Sequence, residues 1–478
     1  MKKSAGIITA VVIVGAAYVG ASWYVGKRAQ ATLEQAVTQA NERFAKALGS
    51  GLAGNGFKLA ISDYNRHVFS SDVVYTLQID NADEATTEYL FSDHLQHGPF
   101  PVGALKQGNF APLLALSRAQ LIPSAVTQKW FDSLSGQAPI VATTQVAFSG
   151  GGNSQWQFQP LDITQDGDSL TFSGGTLGVQ FTKNFNDTTA DGKFPFVGYV
   201  SAQAGEDLQI KGITLNSSST TADDGSLTLQ SSARADSVVA LSSDADPLRA
   251  EHIVANLNSL QNGSLLEGSL RYDFGSLKVG EVDLGSLSVG AKGSGLNIDA
   301  LTALGQEYDA ISAAQGGGEI ELSTDQEASL HEKLLAVLAT DPSVAIDPFI
   351  WKNDQGESSL ALSVSLSGEA AKAAGSTTRL DVLLPQIIKL LKLDASVSGP
   401  MFVKAFGQLQ GAGADPQTAM IANMVFSQYA SRLSNAGLVK AEGDKITTAM
   451  QYEKNSVVVN GQAMSMAEFM QRAISVLM

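Results

Sequence analysis

The stretch Tyr272–Gly290 reads YDFGSLKVGEVDLGSLSVG and contains one six-residue pattern twice. Gly-Ser-Leu-Lys-Val-Gly occupies 275–280, and Gly-Ser-Leu-Ser-Val-Gly occupies 285–290. Apolar residues alternate with polar or small ones in both copies, which is the pattern of a β-strand with one face in water. The ten-residue period predicts one short strand and its turn, repeated along a sheet.

The same alternation extends on both sides of this repeat, from about Phe57 to Gly318. Clusters of turn-forming residues interrupt it, for example at 150–153 (GGGN) and 174–175 (GG). We therefore predict a mainly β protein of the α+β class. Residues 57–320 are expected to form a long, curved antiparallel sheet or a sandwich.

Helical patterns are concentrated in the last third of the chain. Ser323 with Gln326, and Ser465 with Glu468, have the three-residue spacing of a capping box at the start of a helix. The region 321–478 is therefore predicted to be an α+β region that packs on the sheet.

The amino terminus carries an uncharged segment, Ala5–Val25. As a helix its 21 residues would extend about 31 Å, which matches the hydrocarbon thickness of a bilayer. Basic pairs at 2–3 and 27–28 flank it, and Trp23 and Tyr24 lie at its outer edge, where aromatic rings favour the membrane interface. Residues 1–26 are predicted to be a transmembrane signal-anchor. A cleaved signal peptide is the alternative, although its apolar region is usually shorter.

Residues 27–56 follow the anchor as a predicted membrane-proximal helix and a Gly-rich linker. Leu33, Val37 and Ala40 lie on one helical stripe. Such a stripe serves either a helix that packs on its own domain or a dimerising stalk, and both remain open. The rest of the chain is expected in the periplasm of a Gram-negative cell, attached to the inner membrane.

Composition excludes several classes of function. The 478 residues include 31 Lys and Arg against 47 Asp and Glu, a net charge of −16, so we expect no binding to nucleic acid. There is no cysteine, which excludes thiol nucleophiles, disulfides and thiolate metal sites. The hydrophobic content of 44% argues against wholesale disorder.

One segment combines several residues that could bind a metal or a partner, or transfer a proton. It contains Asp93, His94, His97, Gly98, Pro99, Phe100 and Pro101. Imidazoles with a carboxylate are ligands of many zinc and iron sites, but on a strand His94 and His97 would point to opposite faces. Pro99 and Pro101 favour an extended, rigid turn at a sheet edge, in which a histidine donates to a backbone carbonyl. A structural turn, a partner-binding motif and a metal or acid–base site are the three interpretations.

Catalytic motifs are mostly absent from the sequence. It contains neither the G-x-S-x-G motif of hydrolases nor the P-loop of nucleotide-binding proteins. We therefore predict a non-enzymatic protein, with no cofactor and no metal.

Four segments together resemble one protein family. They are Tyr64–Ser71, His97–Pro101, Trp351–Ser358 and Asn460–Ser465. The chain resembles the YdgA-like family of bacterial envelope proteins, which are held in the inner membrane by one amino-terminal helix. Tyr64, Arg66 and Phe69 form a secondary candidate motif within the first segment. The resemblance implies location, topology and self-association, and it identifies no catalytic residue.

Three hypotheses for function follow. The first is an anchored, non-enzymatic binding or scaffold module that acts on other envelope proteins. The second is a lipid-handling β-groove between membranes, for which the alternation at Leu277, Val279, Leu287 and Val289 is the sequence support. A metal-dependent hydrolase is the third and least supported.

Overall fold

The computed structural model describes residues 18–19, 21–41, 57–80, 86–165, 167–314, 322–374, 386–409, 416–454 and 456–477. The chain divides into two compact units. Unit 1 contains Met1–Gln203 and Lys211–Ala222, and unit 2 contains Ala204–Ile210 and Asp223–Met478.

Unit 1 is one antiparallel sheet with a long amino-terminal helix. The helix α1 covers residues 18–19 and 21–41, and two short helices are α2 (Val102–Lys106) and α3 (Gln128–Ser133). The strands are β1 (Phe57–Arg66), β2 (Ser70–Asp80), β3 (Thr86–His97), β4 (Leu113–Leu121), β5 (Ile140–Ala147), β6 (Gly152–Phe158), β7 (Leu161–Gln165), β8 (Asp168–Phe172), β9 (Gly175–Phe181) and β10 (Asp187–Ser201). They pair in the order β1-β2-β3-β4-β5-β6-β9-β10, and β8 pairs with the second half of β10 and with β7.

The core of unit 1 lies beneath α1. Val25 and Ala29 of the helix pack against Leu95 of β3 and against Leu114 and Ala115 of β4. All five are buried, because alternation along β3 turns Leu95 toward the helix while its neighbours His94 and Gln96 face away.

Unit 2 is a second antiparallel assembly. The strand β11 (Glu206–Thr221) contains the boundary between the units. The other strands are β12 (Leu227–Leu241), β13 (Leu248–Asn262), β14 (Leu265–Val279), β15 (Val282–Asn297), β16 (Ser343–Asn353), β17 (Gly356–Leu366), β18 (Ile388–Ser398), β19 (Lys440–Glu442), β20 (Lys445–Glu453), β21 (Ser456–Val459) and β22 (Gln462–Ser465). Strands β12 to β18 pair in sequence order, β20 follows β18, β19 and β21 pair with β20, and β22 pairs with β21.

The helices of unit 2 follow β15. They are α4 (Ile298–Ala314), α5 (Thr324–Leu338), α6 (Gly368–Ala374), α7 (Gly399–Leu409), α8 (Pro416–Asn435) and α9 (Met466–Leu477). The capping box predicted at Ser323 is confirmed, since its hydroxyl accepts from the Gln326 amide and the Gln326 side chain accepts from the Ser323 amide. Helix α4 lies inside the region predicted to be β, and β15 pairs with β16 across the boundary predicted at residue 320.

The predicted mainly β fold is confirmed, and in each unit the described strands that pair belong to one hydrogen-bonded antiparallel sheet. The expectation of a short strand and turn for each copy of the repeat is wrong. The copies lie near the hairpin end of two neighbouring strands, β14 and β15, which are 15 and 16 residues long. Gly275 and Gly285 do not end a strand. Gly285 has a φ of 76° at a register shift, so it is part of a bulge inside β15.

Most of the predicted transmembrane segment, residues 5–17 and Gly20, lies outside the described residues, as does the predicted Gly-rich linker at 49–56. Among the helices that the structure describes, none combines the length and the hydropathy needed to cross a bilayer.

Unit 2 has one apolar sheet face in the register of β14 to β18. Directly paired residues lie on the same face of a sheet. One row across five strands is Tyr272, Val289, Phe349, Leu360 and Ala395. The adjacent row is Leu270, Ala291, Ile346, Leu362 and Leu393. A one-residue bulge at Asp347–Pro348 keeps Ile346 and Phe349 on this face.

The apolar face, defined as these two rows, is not buried by the described part of unit 2. All ten residues are at least partly accessible, and Ile346 and Tyr272 are 41% and 42% exposed. The opposite face carries polar residues such as Ser288, Lys352 and Asp394. An apolar face of this size is usually covered by a second layer or by a partner.

Candidate functional site

The side chain of His97 joins the sheet of unit 1 to α1. His97 ends β3 and is 1% exposed. Its Nδ1 lies 3.1 Å from the carbonyl oxygen of Ser22, which can only accept, so the imidazole donates this hydrogen bond. Its Nε2 is buried without a hydrogen-bond partner among the described residues. Burial lowers the pKa of His97, since a charged imidazole would lose its hydration there.

Two glycines allow this close contact. A Cβ on Gly26 of α1 would overlap the imidazole ring of His97. Gly98 has a φ of 118°, and a Cβ there would lie 2.5 Å from Oγ of Ser22. Only glycine satisfies both the conformation of residue 98 and the distance to the helix.

The prolines that follow shape the loop between β3 and β4. The Pro99 carbonyl accepts from the Leu113 amide at 3.2 Å, and the Pro101 carbonyl accepts from the amides of Ala104 and Leu105 in α2. The carbonyl of Phe100 accepts a hydrogen bond of 2.9 Å from the hydroxyl of Tyr18. This loop therefore contacts α1 at Tyr18 as well as at Ser22.

The secondary motif reaches the same helix from the β1–β2 hairpin. The Phe69 ring stacks on Tyr18 with ring centres 5.8 Å apart, and the Phe69 carbonyl accepts from the His97 amide. The guanidinium of Arg66 lies 5.9 Å from the centre of the Trp23 ring and donates to Gln30. Tyr64 lies on β1, and burial raises the pKa of its hydroxyl. The structure thus brings the two candidate motifs together on one helix.

Asp93 is buried beside this contact and holds three strands together. Tyr75 of β2 donates to its carboxylate at 3.1 Å, and Ser117 of β4 donates to both carboxylate oxygens at 2.8 Å. Burial raises the pKa of Asp93, and these hydrogen bonds offset part of that rise.

His94 points to the other face of β3, away from His97. Its Nδ1 lies 2.8 Å from Asp72, which His67 also approaches at 3.4 Å. All three side chains are more than half exposed, and the hydrogen bond from His94 lowers the pKa of Asp72. Within the described residues no group of three His, Asp or Glu side chains is arranged to hold a metal ion.

The cluster is therefore a docking site for α1, which we call the helix dock: His97, Gly98, Phe100, Phe69 and Arg66 against Tyr18, Ser22, Trp23, Gly26 and Gln30. It can fix the orientation of the helix and exclude water from the helix–sheet contact. Sequence reasoning missed Ser22, Gly26, Tyr75 and Ser117. The isolated Gly26 inside a helical pattern was the available signal for the helix partner, since such a glycine often marks close packing.

Residues 1–467 match the model of a family described as a bacterial protein of unknown function, DUF945. This chain belongs to the DUF945 family. The predicted resemblance to YdgA is confirmed, because the chain is 26% identical to protein YdgA of Escherichia coli (strain K12) over 98% of this chain and 96% of YdgA.

The names of two further relatives describe no activity. The uncharacterized protein YihF of Escherichia coli (strain K12) is 22% identical over 99% of this chain and 98% of YihF. An uncharacterized protein of Haemophilus influenzae is 28% identical over 32% of this chain and 41% of its own length. No solved structure matches.

Proposed function

We propose that this DUF945 protein is a single-pass protein of the inner membrane, whose β units lie in the periplasm and act as a non-enzymatic binding or scaffold module. The observation that carries the proposal is the helix dock. The uncharged segment Ala5–Val25 overlaps the start of α1, and α1 contacts strands β1, β3 and β4 of unit 1. A chain held in this way presents its sheet at a fixed orientation to the anchor.

Two buried ionisable side chains of unit 1, His97 and Asp93, have structural partners, which supports a binding rather than a catalytic role. His97 donates to Ser22 in the helix dock, and Asp93 joins β2, β3 and β4. Both are nearly inaccessible to solvent, at 1% and 3% exposure. Their hydrogen bonds hold the architecture together.

The topology is tested in spheroplasts. Added protease should degrade the chain beyond residue 27, and alkaline carbonate should leave the intact chain in the membrane pellet. The variant Val12→Arg, which puts a charge at the centre of the uncharged segment, should lower retention, whereas Lys3→Arg should not. Release of wild-type protein with a shortened amino terminus would show that the segment is a cleaved signal.

The scaffold role and self-association are tested by crosslinking in membranes. Self-association should yield a specific crosslinked product with a second copy of the chain. A scaffold role should yield a specific product with another envelope protein. Recovery of an isolated monomer with several crosslinking chemistries would overturn the proposal.

A lipid-handling role is the second candidate, favoured by the apolar face of unit 2. Its two rows contain aliphatic and aromatic side chains without a charge, and the described residues leave them accessible. Acyl chains are the occupant we propose, because the anchoring proposed above supplies a membrane as their source.

Native mass spectrometry of the detergent-extracted full chain tests this second role. Co-purifying lipid should be lost in Ile346→Thr, on the apolar face, and retained in Ile350→Thr, on the opposite face of the same strand. A clean apo mass in the wild type would exclude the lipid-handling role. A dimer that only Ile346→Thr dissociates would identify a second copy as the occupant instead.

A further inference from the structure

The end of unit 1 that carries the helix dock also exposes apolar side chains. Two loops supply them: the β1–β2 hairpin and the connection from β3 to β4. We call this set the apolar rim: Val68, Phe69, Phe100, Val102 and Phe110, each between 39% and 72% exposed.

We propose that the apolar rim rests in the lipid interface of the membrane that holds the anchor, so that unit 1 is seated on the bilayer as well as tethered to it. This inference rests on the proposed function for the existence of the anchor. It adds a second, separate membrane contact made by the sheet.

The position of the rim along α1 supports a lipid occupant. Phe69 stacks on Tyr18, and Tyr18 donates to the carbonyl of Phe100, so both loops are held level with residue 18. Tyr18 precedes Trp23 by five residues, or about 7.5 Å of helix. Trp23 and Tyr24 are 51% and 64% exposed, as expected of rings at a membrane interface. Loops level with Tyr18 therefore lie at or below that interface.

Charge favours the same occupant. The segments 64–71 and 97–112, which carry the rim, contain Arg66 and Lys106 and no Asp or Glu. Two carboxylates flank the hairpin segment: Asp63 accepts a hydrogen bond from Asn65, and Asp72 is hydrogen-bonded to His94. In a chain of net charge −16, two loops with only basic charges and exposed aromatic rings are complementary to anionic headgroups and the apolar layer beneath them.

The other end of the same sheet provides a matched control. Val126 lies between β4 and β5 and is 47% exposed, compared with 57% for Val102. The nine residues of β4 place these ends roughly 30 Å apart. Both positions are exposed valines in unit 1, and they differ in the end of the sheet that carries them.

Because the natural chain has no cysteine, single cysteines report on one position each. The full chain with Val102→Cys, Phe110→Cys or Val126→Cys is labelled with nitrobenzoxadiazole and reconstituted in vesicles of phosphatidylethanolamine and phosphatidylglycerol. We expect probes at 102 and 110 to emit at shorter wavelength and to be quenched several-fold more by nitroxide-labelled lipid than the probe at 126. Aqueous iodide should quench the probe at 126 most strongly.

Each other result has a distinct meaning. Equal iodide quenching at 102, 110 and 126, in protein that alkaline carbonate leaves in the pellet, would overturn the proposed contact between the apolar rim and lipid. The proposed membrane anchor would be unaffected. Chain that does not float with the vesicles would overturn both proposals. A blue shift at 102 and 110 without quenching by labelled lipid would show that a protein surface covers the rim, which also overturns the lipid seat.

Discussion

His97 holds the helix dock by a single buried hydrogen bond, and its neighbour His94 is a natural control. The variant His97→Ala removes the buried hydrogen bond from the imidazole to the Ser22 carbonyl and leaves a cavity, so we expect a loss of about 1–3 kcal/mol in unfolding free energy. His94→Ala removes an exposed pair with Asp72 and should cost under about 1 kcal/mol. Thermal melts of the full chain in detergent, with and without chelator, measure both. Equal losses that chelator reproduces would instead identify a metal site.

The contact between Gly26 and His97 reverses an ordinary helix rule. Alanine is about 1 kcal/mol better than glycine inside a helix. At Gly26, however, the added methyl group overlaps the imidazole, so Gly26→Ala should destabilise the dock by about 1–3 kcal/mol. The double variant with His97→Ala should be less destabilised than the sum of the two single variants. Additive losses in such a double-mutant cycle would show that the two positions do not touch.

Asp93 should give unit 1 a measurable dependence on pH. Its folded-state pKa lies above the ordinary value of 3.8, so the folded chain holds this proton more tightly than the unfolded chain. Its contribution to stability is therefore greatest below pH 3.8 and falls as the pH rises through the folded-state pKa. As the pH rises from about 4 to about 7, the melting temperature of the wild type should fall relative to that of Asp93→Asn. Parallel curves would contradict the raised pKa.

At the residue scale, local signals predicted the rigid turn but not its partner. Pro99 and Pro101 restrict their own backbone, and that restriction can be read from the sequence. The acceptor of the His97 hydrogen bond lies 75 residues earlier in the chain, and no spacing rule connects the two positions. The same limit applies to Tyr75 and Ser117, which meet Asp93 only because three strands pair in one register.

At the scale of elements, caps were predictable and strand lengths were not. The Ser323 capping box lies within four consecutive residues, so it can be predicted from the local sequence alone. The ten-residue period predicts a turn for each copy of the repeat, but Gly285 bends its strand without ending it. A glycine alone does not distinguish a bulge from a turn, because both need the same backbone freedom.

Two glycines of unit 2 should respond to alanine with opposite signs. Gly285 has a positive φ, and a Cβ there would overlap the carbonyl of Lys352, so Gly285→Ala should lose more than about 1 kcal/mol. Gly305 lies inside α4 with open space around it, so Gly305→Ala should gain about 0.5–1 kcal/mol. Denaturant unfolding monitored by circular dichroism measures both. A gain at residue 285 would show that β15 does not need its bulge.

At the scale of the whole molecule, alternation predicted a sheet but could not say what covers it. The apolar face of unit 2 should bind a fluorescent apolar dye, anilinonaphthalene sulfonate, in the native state. Val344→Thr changes shape little and adds a hydroxyl on that side of the sheet, so it should lower the dye signal without lowering the melting temperature. Val254→Thr, on the opposite side, is the control. Equal dye binding by all three proteins would show that the dye binds elsewhere.

The helix dock also dictates an order of assembly. Val146 and Phe148 pack against the core cluster that Val25 and Ala29 of α1 form with β3 and β4. The packing around α1 therefore cannot form fully until about the first 150 residues have crossed the membrane. If the chain is exported from residue 27 onward, as proposed above, α1 emerges first and β1 to β5 follow in order, each pairing with the strand before it. Neighbour-by-neighbour pairing of this kind suits vectorial folding during export, because a newly arrived strand finds its partner already in place.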